Sequence, residues 1–193
     1  MGEIRRKSVF EGTEVFIAKG EKLDYSRRLL YNNTGQKLPE KIPPKAHCEL
    51  RPVSYMKEVL APKFFQAHWA EVGQDKSWEV DCFWEFYQTL EYNDQFQITV
   101  LFVNNEPVGY FLGIIGHPTH YQSKTVLTSD AFYIAPEFRA QYSVRLFKAA
   151  EAFAKAVGVS KMYLHFKVYK DISPLTKRLG FQPMETVVAK SLE

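Results

Sequence analysis

The sequence predicts a mixed α/β fold: a central mixed sheet with helices on both faces, preceded by an extended N-terminal arm. Three observations carry this. Two β-patterned runs, 96–103 and 108–115, flank an Asn104-Asn105 turn and read as an antiparallel hairpin. The stretch from Thr125 to Gly158 reads as a buried strand, a short polar turn carrying Arg139, and an amphipathic helix starting near Tyr142. A further strand pattern over 161–169 follows that helix. The strand–helix–strand unit is therefore a crossover, which calls for a parallel, right-handed connection.

Taken in order, the first 46 residues hold ten Lys/Arg against six Asp/Glu, while residues 47–193 are nearly neutral. Only residues 14–18 of this part have a strand pattern. A polar, turn-rich run ends in Pro43-Pro44, which forbids helix. The expected division is a basic, irregular arm over 1–46 and one globular domain over 47–193. Within the domain, residues 49–54 read as a short strand and 56–72 as a helix, with Pro62 marking a first turn or a kink. Residues 81–91 place Phe83, Phe86, Tyr87 and Leu90 at helical spacing. After the hairpin and the crossover, Ile172, Leu175 and Leu179 share one face of a short helix, and 186–189 reads as a last strand.

The composition narrows the function classes. A chain of 193 residues, 46% hydrophobic, buries a substantial core. No run reaches the roughly 18–20 apolar residues of a membrane span, and no charged-then-apolar N-terminal signal is present. Cys48 and Cys82 form neither a disulfide framework nor a CxxC pair, the pattern of buried thiols in the cytoplasm. A net charge of +3 does not call for nucleic acid. In the arm, Phe16, Tyr25 and Tyr31 stand beside Arg5, Arg6, Arg27 and Arg28, yet no RNA- or DNA-binding motif accompanies them. Docking of residues 1–46 onto a protein partner or a second copy of the chain is the first reading; a solvated tail is the alternative.

Several residues invite chemistry. A strand that opens into a helix N-terminus aims unpaired N–H groups and about half a positive charge at one point, which suits a phosphate. Arg139 adds a guanidinium there. Asp130 lies in an apolar strand, on the same face as Phe132 and Ile134. Burial would raise its pKa towards that of a base able to deprotonate an amine; a structural carboxylate is the other reading. His120 and Tyr121 occupy the preceding loop, where histidine suits proton transfer. Over 161–169, Met162, Leu164, Phe166 and Val168 alternate with Tyr163, His165, Lys167 and Tyr169, so the second set faces a wet cleft, an acidic partner or solvent. His68 and Glu71 share a helix face. With no third ligand apparent, packing is expected there rather than a metal site.

The element order, the NNEPVGY hairpin, the strand end YIAPEFRA, the helix end AKAVGV and the late KRLGF resemble the GNAT superfamily of acyl-CoA N-acyltransferases over about residues 47–192. HYQ at 120–122, Asp130, and HFK at 165–167 look like a branch often encoded by tailed bacteriophages. The resemblance implies acetyl-CoA as cofactor, with its pantetheine along Phe132, Tyr133 and Ile134. It puts the pyrophosphate at Arg139, Ala140, Gln141, Tyr142, Ser143 and Val144. The acceptor would be an amine of a small molecule or protein, beside His165 and Lys167. Asp130, or a water held by His120 near Tyr121, would take the amine proton. A phage-encoded chain would work in the host cytoplasm or the virion. Three departures stand out: 139–144 has no glycine where the family runs close to R-G-x-G-x-G, Thr176 stands where many members place an acidic tyrosine, and Lys170-Asp171 replaces a usual asparagine. The glycine-free loop, Thr176 and the unmatched arm favour a second reading, a GNAT-fold structural or interaction protein of a phage particle docking through its arm.

Overall fold

The computed structural model describes residues 4–7, 14–17, 46–73, 75 and 77–192. Strands β1 (Ile4–Lys7) and β2 (Glu14–Ile17) pair antiparallel, Ile4 opposite Ile17. Tyr25, Arg27, Arg28 and Tyr31 lie outside the described residues. The body begins with β3 (Ala46–Leu50), followed by β4 (Phe96–Val103), β5 (Glu106–Gly116), β6 (Val126–Ile134) and β7 (Lys161–Tyr163). These five strands form one sheet in chain order, antiparallel from β3 to β6 and parallel between β6 and β7. The mixed sheet and the parallel crossover are those expected from the sequence.

Each face of the sheet carries its own core. On one face Phe96, Ile98, Val100 and Phe102 of β4 pack with Tyr110 and Leu112 of β5 against Val53, Met56, Leu60, Phe64 and Leu90. On the other, Leu101, Val103, Val108, Phe111 and Leu127 meet Leu146, Phe147, Ala150 and Ala154. The period-2 alternation of β4 thus feeds two hydrophobic layers, which is why the strand reads as wholly apolar at its end. Gln97 is buried on the second face, where its Nε2 donates to the Ala150 carbonyl and to Thr99 Oγ1, each at 3.0 Å. Asn104 and Asn105 turn the β4–β5 hairpin with φ of 51° and 68°, the doubly left-handed geometry that Asn tolerates.

The helices depart from expectation at their ends. The first runs continuously over 53–72 as α1 (Val53–Tyr55), a π-helical stretch (Met56–Phe65) and α2 (Gln66–Val72). The expected strand at 49–54 is displaced to 46–50, because Pro52 has no N–H for a ladder and sits instead at the helix N-cap. Pro62 neither opens nor ends the helix; it lies inside the π-helical stretch, whose hydrogen-bond ladder is wider than that of an α-helix. Helix α3 (Trp84–Tyr92) starts three residues later than predicted.

The largest correction concerns α4, which spans Pro136–Ala156 rather than starting near Tyr142. Pro136 stands in the first turn, where proline's fixed φ is already helical and its missing N–H costs nothing. The segment 139–144 is therefore helix, not turn. Gly158 closes α4 with φ of 86°, and Val159 N–H bonds back to the Ala154 carbonyl at 3.1 Å. Helix α5 (Ser173–Arg178) lies close to its predicted span. The strand expected over 186–189 is absent; Val187 and Val188 are exposed in an irregular segment.

Candidate functional site

Two irregularities in β6 mark the candidate site. Leu112 pairs with Ala131 and Gly113 with Ser129, so Asp130 is an extra residue with no partner on β5. Such a bulge bends the strand and re-aims a side chain. Its effect is legible in the packing: Leu127 and Ile134 both belong to the α4 side of the core, seven residues apart, while Tyr133 belongs to the other side. Asp130 is consequently not on the face of Phe132 and Ile134, as regular alternation required. It turns towards α3, where its Oδ2 accepts a 2.9 Å hydrogen bond from Tyr87 Oη. Burial raises its carboxyl above the usual range, and the Tyr87 bond partly opposes this. Solvent still reaches the group.

The second irregularity is a split between β6 and β7. Their ladder holds only from Val126–Lys161 to Thr128–Tyr163. Ser129 Oγ then accepts the His165 N–H at 2.8 Å in place of a ladder bond, and the strands part. The expected strand over 161–169 is thus cut at Tyr163. Beyond it His165, Phe166, Lys167 and Val168 are all exposed, so the predicted two-faced alternation fails there. Beyond Ser129, β6 has no strand partner on its β7 side among the described residues. Phe132, Tyr133 and Ile134 lie on this open stretch.

Behind the open strand sits a cluster of rings. His68 of α2 shares a 2.7 Å hydrogen bond between Nδ1 and Tyr110 Oη, and its ring stands 5.2 Å from that of Tyr133. Burial, with Arg139 nearby, lowers the His68 pKa to about 4, although Glu71 pulls the other way. The ring is therefore neutral at pH 7. In the unfolded chain it titrates near its ordinary value, so the unfolded state binds the extra proton first as pH falls from about 6.5. Stability contributed by His68 is complete above that pH and lost on the way to about pH 4. We expect this to remove about 2–3 kcal/mol, allowing for partial exposure. Denaturant titrations at stepped pH should show it, with a flatter profile in His68→Gln.

Arg139 projects from the first turns of α4. Its Nε donates to the Ile134 carbonyl at 2.6 Å, and Nη1 and Nη2 donate to the two Glu71 oxygens at 2.7 and 2.5 Å. The guanidinium also lies 5.3 Å from the Tyr133 ring centre. The remainder of 139–144 is committed to the helix: Ser143 Oγ donates to the Arg139 carbonyl at 2.6 Å, and Tyr142 packs by Phe138 on the α4 core. Ala140 and Gln141 are exposed, Val144 half-buried. Within a helix, N–H groups past the first turn are spent on preceding carbonyls, and here Phe138 N–H also bonds the Ala135 carbonyl. The Glu137 carboxylate already stands in the first turn against the helix dipole. Residues 139–144 thus lie within α4, whereas β6 beyond Ser129 presents an edge with no strand partner on its β7 side among the described residues.

The other expected residues are scattered. His120 and Tyr121 are exposed in a turn before β6, whose first residue lies four positions from Asp130. Among the described residues, no side-chain hydrogen bond ties either one to Asp130. Thr176 is buried and donates to the Ser173 carbonyl at 3.1 Å. Burial pushes the Cys48 thiol up to about 12 and raises Cys82 as well, so neither is a ready nucleophile. A cavity of about 240 Å³ lies between the end of α4, β7 and Phe181, and Asp130 does not line it. Its charges are Glu151 and Lys155, paired with each other, and Lys161. Among the described residues no group of His, Cys, Asp and Glu forms a metal site, and no helix is long and apolar enough to cross a membrane.

The bulged β6 parts from its parallel neighbour β7 and runs on into the long helix α4. The sequence profile described as the acetyltransferase (GNAT) family matches residues 57–181. The chain belongs to the acetyltransferase (GNAT) family. No curated protein sequence matches it. Among solved structures, it is similar to a GCN5-related N-acetyltransferase from Ralstonia eutropha JMP134, at 16% identity over 77% of this chain and 99% of that one, TM-score 0.61. An aminoglycoside acetyltransferase from an uncultured soil metagenomic sample, in complex with sisomicin, matches at 16% identity over 79% and 100%, TM-score 0.59. A ribosomal-protein-alanine N-acetyltransferase from Brucella melitensis biovar Abortus 2308 matches at 14% identity over 77% and 100%, TM-score 0.58. At these identities the likeness is one of fold.

Tyr87, Tyr110, Glu71, Tyr169 and Lys170 were not read from the sequence as site residues. The helical spacing that includes Tyr87 and the shared face of His68 and Glu71 were the available signals. Partners 40 to 100 residues away were not.

Proposed function

We propose that the chain transfers an acetyl group from acetyl-CoA to an amine of a small molecule or protein. The observation that carries this reading is the bulge at Asp130, which brings a solvent-reached carboxylate of raised pKa to the place where β6 parts from β7. Acetyl-CoA supplies the acyl group as a thioester. The free edge of Phe132 to Ile134 would hold its amide chain by backbone hydrogen bonds, and Arg139 would meet its phosphates. Asp130, oriented by Tyr87, would take the proton from the attacking nitrogen. Thr176 offers no proton to the departing thiolate, since its hydroxyl is spent on Ser173. His120, Tyr121, His165 and Lys167 are exposed, and their place in this reading is contact with the acceptor.

A second reading is favoured by one observation: the glycine-free segment 139–144 is helix, and its arginine is already held by Glu71. On that reading the chain keeps the fold as an interaction protein, docking through residues 1–46. The HYQ, Asp130 and HFK resemblance would place it with phage-encoded proteins, in the host cytoplasm or the virion. Acetyl-CoA separates the two readings. A ligand bound only by the native state raises stability by RT ln(1 + [L]/Kd), about 2.7 kcal/mol at a hundredfold excess over Kd. For the transferase, melting followed by circular dichroism should shift upward by roughly 5–10 °C at such an excess. No shift at millimolar acetyl-CoA sinks the transferase reading.

A further inference from the structure

The Glu71 carboxylate bridges cations from two different elements. Its Oε1 accepts from Arg139 Nη1 at 2.7 Å and from Lys170 Nζ at 3.2 Å, and its Oε2 accepts from Arg139 Nη2 at 2.5 Å. Next to it, Tyr169 Oη donates to the Val72 carbonyl at 2.6 Å. Two strands diverge at this end of the sheet: β6 runs on into α4, which carries Arg139, and β7 runs on into the loop that carries Tyr169 and Lys170. The end of α2 is fastened to both continuations at once. The fastening is partly wet, with 22% of the Glu71 side chain exposed and 37% and 44% of Arg139 and Lys170.

Carboxylate and phosphate compete for the same forked donors, because each offers two oxygens at matching separation to a planar guanidinium. We propose that Glu71 is a built-in competitor for the phosphate seat: it holds Arg139 and Lys170 together as a two-cation clamp and is displaced when a diphosphate binds. This rests on the reading that Arg139 meets the cofactor's phosphates, and it adds Lys170 as the second cation. A diphosphate, with more negative charge than one carboxylate, gains most from a site with two cations. A monoanion gains least over Glu71 itself. Releasing Glu71 also frees the end of α2 from α4 and from Lys170, leaving the Tyr169 hydrogen bond to the Val72 carbonyl as its tie to that loop. Occupation of the clamp is therefore coupled to the segment after Val72, which leads to α3 and Tyr87.

The test is a calorimetric titration of the full chain with inorganic pyrophosphate and, separately, with coenzyme A. Wild type, Glu71→Gln and Lys170→Met are compared, each first confirmed folded by its melting curve. Removing the competitor and its charge should tighten both ligands at least tenfold in Glu71→Gln, while Lys170→Met should weaken pyrophosphate by about that factor. If wild type binds and Glu71→Gln binds no tighter, the competitor role is overturned and the cofactor reading stands. If neither protein binds either ligand, both are overturned. Should Glu71→Gln not fold, the Arg139 ¹⁵Nε resonance of wild type decides. Saturating pyrophosphate must shift it as Glu71 leaves; an unmoved resonance overturns the proposal.

Discussion

Asp130→Asn is expected to lower acetyl transfer to an amine by about 10²–10⁴-fold, the range removed when a positioned general base is lost. Asparagine has the same shape and still accepts a hydrogen bond from Tyr87, which lies 2.9 Å from Oδ2. The affinity for acetyl-CoA should stay within about threefold, since Asp130 is placed on the acceptor side. The linked effect on stability has the opposite sign. Burial raises the folded-state pKa of Asp130 above its unfolded value. The native state therefore holds the proton longer, and the stability this gives is present at low pH and lost as pH rises through the folded pKa. Above the folded-state pKa wild type bears the cost of an ionised, partly buried carboxylate. A neutral amide in its place carries no such cost, so the variant should be no less stable there. Thiol release with a panel of primary amines, paired with denaturant titration, separates the two readings of Asp130. A variant that stays active but melts early would make it a structural carboxylate.

The sequence made the architecture legible because its strands sit at period two between two apolar layers, and because Gly158 and the Asn104-Asn105 turn punctuate them clearly. What it concealed were features set by strand register. Nothing local announces that Asp130 is an extra residue; that follows from Leu112 choosing Ala131 and Gly113 choosing Ser129. One slipped position moves a carboxylate from the α4 face to the α3 face. The end of β7 was hidden for a similar reason. Lys161 to Tyr169 alternates well enough for a long strand, but a strand persists only while a neighbour lies alongside, and β6 bends away after the bulge. The start of α4 is readable from Pro136, whose place in the first turn outweighs the polar turn that the residues around Arg139 suggest. With the segment 139–144 in the helix, its lack of glycine needs no special account, since its residues all have ordinary helical conformations. Glu71 was visible as a neighbour of His68 on one helix face. Its true partners, Arg139 and Lys170, are 68 and 99 residues away.

Phe111→Ala should be the most destabilising single change in the core, by about 3–5 kcal/mol. Phe111 is fully buried at the centre of the sheet, paired with Thr99 on β4 and Phe132 on β6. Its ring meets Phe147 of α4 edge-on at 5.9 Å, and Phe147 meets Phe132 in the same manner at 5.2 Å. The three rings pin α4 to the sheet directly beneath the open edge of β6, so the pin that stabilises the fold also sets where Arg139 points. For a chain of this length each kcal/mol moves Tm by about 2–4 °C, so a fall of roughly 6–20 °C is expected. Phe147→Ala should cost a similar amount. Because both deletions remove the same edge-to-face contact, the double variant should cost less than the two single costs combined, by about 0.5–1.5 kcal/mol. Strict additivity would show that the rings act independently and that α4 is held by the remainder of its apolar face, Leu146, Ala150 and Ala154. With the coupling present, Phe111→Leu, which keeps much of the apolar bulk but loses the ring, should recover most of the stability lost in Phe111→Ala. It should still loosen Arg139, seen as weaker pyrophosphate binding at a temperature where the variant is fully folded.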